Sequence, residues 1–149
     1  MQIEGTHTFN CSRVKFWDFI MDPEVIGQTI PGCSDFKSVA EDEFEAQITI
    51  GIAAVKGVYT SKISLEDKNP PVSYKLKIQG KGARGFLHGE VTIQLKEDGG
   101  NTILHYASNN QIGGAIAGIG QRIVGAAAKM LINQSFKSLE KQLQKKMQS

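Results

Sequence analysis

Few side chains in this chain can transfer protons, bind a metal or act as nucleophiles, and their spacing narrows which of those chemistries is available. His7, His88 and His105 are its three histidines. A metal site needs such groups to converge, yet these fall in separate strand-like segments, and His88 shares the parity of Glu90, Thr92 and Gln94 on a polar face. His7 lies on the side of Ile3 and Phe9, so its ring is expected to reach the core and find a partner there, a general base being the alternative. Cys33 follows Pro31-Gly32 with no cation beside it in sequence to favour the thiolate, which fits a buried structural thiol. Tyr59 and Tyr74 bring hydroxyls to apolar stretches, a mixture that small-molecule sites use, the alternative being ordinary core packing with the hydroxyl at the rim. On these grounds no catalytic residue, metal ligand or cofactor is assigned.

The stretch "NQIGGAIAGIGQRIVGAAAKM", residues 110–130, is the other candidate for chemistry. A phosphate loop wants glycines between a strand and a helix N-terminus, as in G-x-G-x-x-G. Here Gly118-Ile119-Gly120-Gln121-Arg122-Ile123 puts isoleucine at the third glycine, and no parallel strand follows. A membrane span needs about 20 mostly apolar residues, and Gln121 and Arg122 interrupt this one. What remains is a small-residue face of Gly114, Gly118, Gly125, Ala126, Ala127 and Ala128, which either approaches other backbone closely or leaves space beneath it.

The elements that must position these groups follow from periodicity. Residues 2–10 alternate as a half-buried strand. Ser12 is placed to cap a helix through "RVKFWDFI" with Val14, Trp17 and Ile20 on one face, and Asp22-Pro23-Glu24 starts a second helix that Pro31-Gly32 ends. From Ser34 to about Gln111 only strands are predicted. Phe44, Ala46, Ile48 and Ile50 alternate with polar or small residues, as do Val72, Tyr74, Leu76 and Ile78, and then Leu87, Val91, Ile93 and Leu95. Their short connections favour an antiparallel meander of about seven strands. Ile132, Phe136, Leu139, Leu143 and Met147 recur at helical spacing, predicting an amphipathic helix from about Ala115 to Lys146 that covers the sheet. The expected fold is α+β: one curved antiparallel sheet gripping a long C-terminal helix, with two short helices after the first strand, in a single domain over residues 1–149. Small residues in the first half of the helix and large ones in the second place a cavity at one end of the grip.

Composition excludes other classes. A net charge of +2 and an aromatic share of 7% do not fit a nucleic-acid binder. Two cysteines, and an N-terminus "MQIEGTHTF" without a secretory pattern, point to free thiols in a reducing cytoplasm. The last helix is basic through Arg122, Lys129, Lys137, Lys141, Lys145 and Lys146, opposed by Glu140. Its Lys137, Lys141 and Lys145 stripe suits a solvated face, an anionic lipid surface or an acidic partner.

Three ordered motifs, "PGC" at 31–33, "GKGARGFLHGEVTIQL" at 80–95 and "GGAIAGIGQRIVGAAAKMLINQSFKSL" at 113–139, resemble the CoxG-like family of carbon monoxide dehydrogenase subunits, part of the START-like, or SRPBCC, helix-grip superfamily. The resemblance implies a helix-grip fold with an apolar cavity, association with molybdenum hydroxylases of the carbon monoxide dehydrogenase type, and membrane recruitment or quinone or lipid binding. Carried over by position, Pro31, Gly32 and Cys33 form the turn entering the sheet. Gly80, Gly82, Gly85 and Gly89 shape the bend of two central strands, and Gly114, Gly118 and Gly120 open the long helix. Some members continue past this helix into a membrane anchor. The chain ends at Ser149, so peripheral contact through the basic helix, at the inner face of the membrane, is the expectation here. Relatives often carry two adjacent aromatics where this chain has Ser135-Phe136.

The function expected is a non-enzymatic binding protein that holds a quinone, fatty acid or lipid between the sheet and the glycine-alanine half of the helix. Trp17, Ile30, Ile48, Tyr74, Leu76, Leu87, Ile123, Ala127 and Met130 are the expected wall. The alternatives are an assembly or recruitment factor for a molybdenum hydroxylase acting by protein contacts without ligand, and a cyclase- or aromatase-like enzyme suggested by superfamily analogy alone.

Overall fold

Alternation of inward apolar and outward polar side chains, broken by register shifts between β2 and β3 and between β4 and β5, builds a seven-stranded sheet in the computed structural model, which describes residues 2–148. The strands are β1 (Gln2–Phe9), β2 (Cys33–Ala40), β3 (Glu43–Ile50), β4 (Gly57–Asn69), β5 (Ser73–Gly82), β6 (Gly85–Asp98) and β7 (Asn101–Gly113). Their order is β1-β7-β6-β5-β4-β3-β2, all antiparallel. β2 to β7 therefore form the expected meander, and β1 returns to the far edge beside β7, with Ile3 opposite Ser108 and Phe9 opposite Thr102.

Between β1 and β2 come the two short helices, α1 (Arg13–Met21) and α2 (Pro23–Thr29). The Asp22 signal acts as read: its carboxylate accepts a hydrogen bond from the Glu24 N–H at 3.0 Å, with Pro23 in the first helical turn. α1 differs from expectation in two respects. Ser12 makes no side-chain capping bond, and the buried face is Phe16, Trp17, Phe19 and Ile20, while Val14 is exposed. The cause is that α1 is wedged beneath one end of the sheet, so two adjacent pairs of residues turn inward rather than a single stripe.

The long C-terminal helix, α3, spans Gln121–Gln148. It starts later than the expected Ala115, because Ala115–Ile119 form a separate 3₁₀ turn between Gly114 and Gly120, both at positive φ (83° and 89°). That turn is tied down where the Ile116 N–H donates to the Arg84 carbonyl at 2.9 Å. Here the close-approach reading of the glycines holds: a Cβ on Gly85 would sit 2.1 Å from the Gly113 carbonyl oxygen, and one on Gly114 would sit 2.7 Å from the Gly85 Cα. Gly118 and Gly120 meet nothing within 4 Å, so no packing requires glycine there.

The core divides in two. One cluster gathers α1, α2 and the sheet around Phe9, Phe16, Trp17, Tyr74, Leu104 and Leu139. The other gathers Ile48, Ile50, Val55, Tyr59, Ile116 and Ala127.

Candidate functional site

The concave face of the sheet and the inner face of α3 do not meet everywhere. Between them lies a cavity of about 280 Å³, near the lower end of the roughly 300–1,000 Å³ range of small-molecule sites. Its sheet wall is drawn from β3 to β7. Ile48 and Ile50 come from β3, Leu65 from β4, Tyr74, Leu76 and Ile78 from β5, Leu87, Val91 and Ile93 from β6, and Leu104 and Tyr106 from β7. Its helical wall is Val124, Ala127, Ala128, Leu131, Ile132, Phe136 and Leu139. The cavity thus runs beneath both halves of α3. The expected confinement to the glycine-alanine half is corrected, because Ile132, Phe136 and Leu139 line space rather than filling it.

Of the nine expected wall residues, Ile30, Ile48, Tyr74, Leu76, Leu87 and Ala127 line the cavity. Ile123 and Met130 do not: they are 46% and 50% exposed on the outer side of α3. At about 100° per residue, turning Val124 and Leu131 inward carries their predecessors away from the sheet. Met147, expected on the apolar stripe, is 63% exposed in the last turn of α3, although Leu139 and Leu143 on the same stripe are buried. Trp17 is buried behind the wall, its ring edge-on to Tyr74 at 5.6 Å and 87°.

The polar groups of the wall are mostly occupied. The Tyr59 hydroxyl donates to the Val55 carbonyl at 2.7 Å, Thr29 to Val25 at 2.7 Å, Ser61 to the Tyr59 carbonyl at 3.1 Å and Ser135 to Leu131 at 2.9 Å. Burial raises the Tyr59 pKa against a lesser opposing effect of Arg84, and burial alone raises that of Tyr74 well above the usual phenol range. Both phenols are therefore neutral hydrogen-bonding groups and not bases. Tyr59→Phe is expected to cost about 1–2 kcal/mol, since it strands a buried carbonyl. Urea denaturation with an unchanged slope checks it, and a loss under about 0.5 kcal/mol would mean water takes over that carbonyl.

The histidines do not converge, but His88 lines the cavity, which corrects its expected place on a polar face. His7 is half-buried: its Nε2 lies 2.6 Å from Glu140 Oε1, and its ring stacks on Phe136 at 4.9 Å, tying β1 to α3 behind the cavity wall. His88 lies in β6 with its ring 4.5 Å from that of Phe86. His105 Nε2 is 3.8 Å from Glu4 Oε2. Among the described residues no group of three His, Cys, Asp or Glu lies close enough to hold a metal ion. Cys33 is half-buried rather than fully buried, and burial pushes its thiol pKa up, as it does that of Cys11, where Lys15 and Lys146 partly offset it. Neither thiol is activated. Lys137, Lys141 and Lys145 are exposed along α3. No helix among the described residues is long and apolar enough to cross a membrane.

Among the polar lining groups that sequence reasoning missed are His88 on β6 and Ser108, Asn110 and Gln111 on β7. For Ser108 and Asn110 the signal was present in parity, since Leu104, Tyr106, Ser108 and Asn110 share one side of β7, whereas His88 and Gln111 break parity with their neighbours Gly89 and Asn110, which also line the cavity.

A curved antiparallel sheet closed over an apolar cavity by one long helix defines a START-like helix-grip protein. The same fold is found in a START superfamily protein from Mycobacterium smegmatis, at a TM-score of 0.73 and 13% identity over 97% of each chain. Within that class the chain belongs to the CoxG family of carbon monoxide dehydrogenase subunits, which matches residues 5–144. It is also similar to a conserved protein from Geobacillus kaustophilus, with a TM-score of 0.91 and 36% identity over 97% of this chain and 96% of that one. Against curated proteins the chain has no match.

Proposed function

We propose that the protein is a non-enzymatic carrier that holds an apolar small molecule, a quinone or a lipid tail, between sheet and α3. The observation that supports this reading is a cavity lined mainly by aliphatic and aromatic side chains. Among the described residues that line it there is no Asp, Glu, Lys or Arg. A fatty acid would then keep its carboxylate at the solvent end, because an ion buried without a partner costs several kcal/mol. The family's description as a component of carbon monoxide dehydrogenase supports a hydroxylase of that type as the enzyme served. The exposed Lys137, Lys141 and Lys145 stripe supports peripheral contact with an anionic membrane or acidic partner.

Native mass spectrometry of the purified protein, with organic extraction and identification of what is released, tests the carrier reading. A stoichiometric neutral apolar molecule is the expected result. A protein that is empty as purified, and stays empty after incubation with menaquinone and with phosphatidylglycerol vesicles, would transfer the weight to recruitment by protein contacts alone.

A further inference from the structure

Resting on the carrier reading, we infer that one end of the grip is a seat for an anionic bilayer, from which apolar cargo passes directly into the cavity. In an antiparallel meander, alternate connections fall at the same end of the sheet. The β3–β4 connection (51–56), the β5–β6 turn (83–84) and the β7–α3 connection (114–120) therefore share one end, and the β2–β3, β4–β5 and β6–β7 connections share the other. The first three are packed together. The Ile116 N–H donates to the Arg84 carbonyl at 2.9 Å, and Ile52 and Ile119 pack on one cluster with Val55 and Ile116.

Charge is divided along the strand axis. The far end holds Glu41 and Asp42 in the β2–β3 turn, Glu66 and Asp67 late in β4, and Glu97 and Asp98 late in β6. No Asp or Glu occurs in residues 46–65, 68–89 or 99–139, the segments that build the near end. Its exposed charges are Lys56, Lys81, Arg84 and Arg122, and none of the four forms an ion pair among the described residues. Asp35 stands beside Ser34 on the β2 edge, three strands from Lys81 along one row, about 14 Å at about 4.8 Å per strand. That exceeds the screening length of about 8–10 Å, so the near end stays positive.

The tips between these cations are apolar. Ile123 is 46% exposed, Ile52 and Ile119 are half-buried, and Ala53, Ala115 and Ala117 are exposed. An acidic protein would answer the cations alone, whereas an anionic bilayer answers both, with phosphates at the cations and acyl chains over the isoleucines. The cavity gives such a seat its use. Its lining reaches Ile50 at the end of β3, Val55 in the β3–β4 connection and Val124 in the first turn of α3, and Ile50 and Val55 belong to the cluster on which Ile52 and Ile119 pack. Cargo thus moves from acyl chains to cavity through apolar side chains. The Lys137, Lys141 and Lys145 stripe lacks that pairing, because its exposed neighbours are Asn133, Gln134, Glu140 and Gln144.

The test sediments the full chain with vesicles of phosphatidylcholine alone and of phosphatidylcholine mixed with phosphatidylglycerol. Binding to the anionic vesicles only is expected, and it should weaken as salt is raised. Lys56→Gln, Arg84→Gln and Arg122→Gln together should lower that affinity about a hundredfold, as expected for three cations at a membrane surface. Ile123→Ser should lower it about threefold to tenfold. Neutralising Lys137, Lys141 and Lys145 together should change it by about threefold or less. All these positions are exposed, and an unchanged thermal midpoint shows each variant folded. No binding by the native chain, equal binding to both vesicles, or binding kept by the triple variant and lost with the stripe overturns the seat. Anionic binding that Ile123→Ser leaves untouched also overturns it and assigns the end to an acidic protein. Organic extraction of the same protein keeps the two readings apart: a loaded protein that ignores vesicles loses the seat and keeps the carrier reading, and a vesicle-bound protein that stays empty loses the carrier reading and with it the passage of cargo.

Discussion

Phe16→Ala is expected to lower the stability of the protein by about 3–5 kcal/mol, the range for deleting a buried phenylalanine where the surroundings cannot collapse. Phe16 is fully buried, and its ring stacks on Phe9 at 4.6 Å and lies 6.1 Å from Phe19. Phe9 in turn contacts His7 at 4.7 Å and Phe136 at 6.1 Å, so one aromatic chain runs from α1 through β1 to α3. Phe16 sits within a cluster of buried rings and aliphatic side chains drawn from helices and sheet, so closing the void would require several elements to move together. Against a typical total of about 5–15 kcal/mol, the loss is large. Guanidinium unfolding should show a lower midpoint at constant slope. A change below about 1.5 kcal/mol would mean that α1 repacks freely against the sheet.

That aromatic chain was only partly visible in the sequence, and the reason is physical. Local chemistry was legible wherever a few adjacent residues settle a conformation. Asp22-Pro23-Glu24 starts α2 as read, and the alternation through Phe44–Ile50 and Tyr74–Ile78 sets which faces point inward. What joins distant segments was not legible. Nothing in "QIEGTHTF" says that it lies beside β7, since an alternating strand fits any edge with a matching face. The phase of α3 failed for another reason. Ile123-Val124 and Met130-Leu131 are adjacent apolar pairs, and periodicity alone cannot decide which member of each faces the sheet; the structure turns Val124 and Leu131 in. The expected helix runs back to about Ala115, through Gly120, whose positive φ instead ends one element and precedes the next. The cavity was inferred from side-chain volume along the helix, but its shape depends on the curvature of all seven strands. Its extent beneath Phe136 and Leu139 therefore had no signature in sequence.

Gly89→Leu should separate stability from function. Gly89 sits mid-strand in β6 and faces the cavity; apart from Asn110 Oδ1 at 3.2 Å, nothing lies within 4 Å of where its Cβ would stand. Its φ is not in the left-handed region, so a branched side chain suits the backbone, and removing a glycine from a strand is itself favourable. The carboxamide of Asn110 need shift only a few tenths of an ångström. The added side chain then projects into the 280 Å³ space and takes volume from any ligand while burying its own apolar surface. Ligand uptake should fall more than tenfold, about 1.4 kcal/mol or more, while the thermal midpoint of the ligand-free protein stays within about 5 °C of the parent or rises. Most substitutions that harm a protein's function act by destabilising it, so loss of uptake without loss of stability would attribute the function to the empty volume itself. A stable variant that still carries its ligand at full stoichiometry would place the binding surface elsewhere on the molecule. A variant that unfolds would show that the open space over β6 is closed in solution by packing tighter than the geometry indicates.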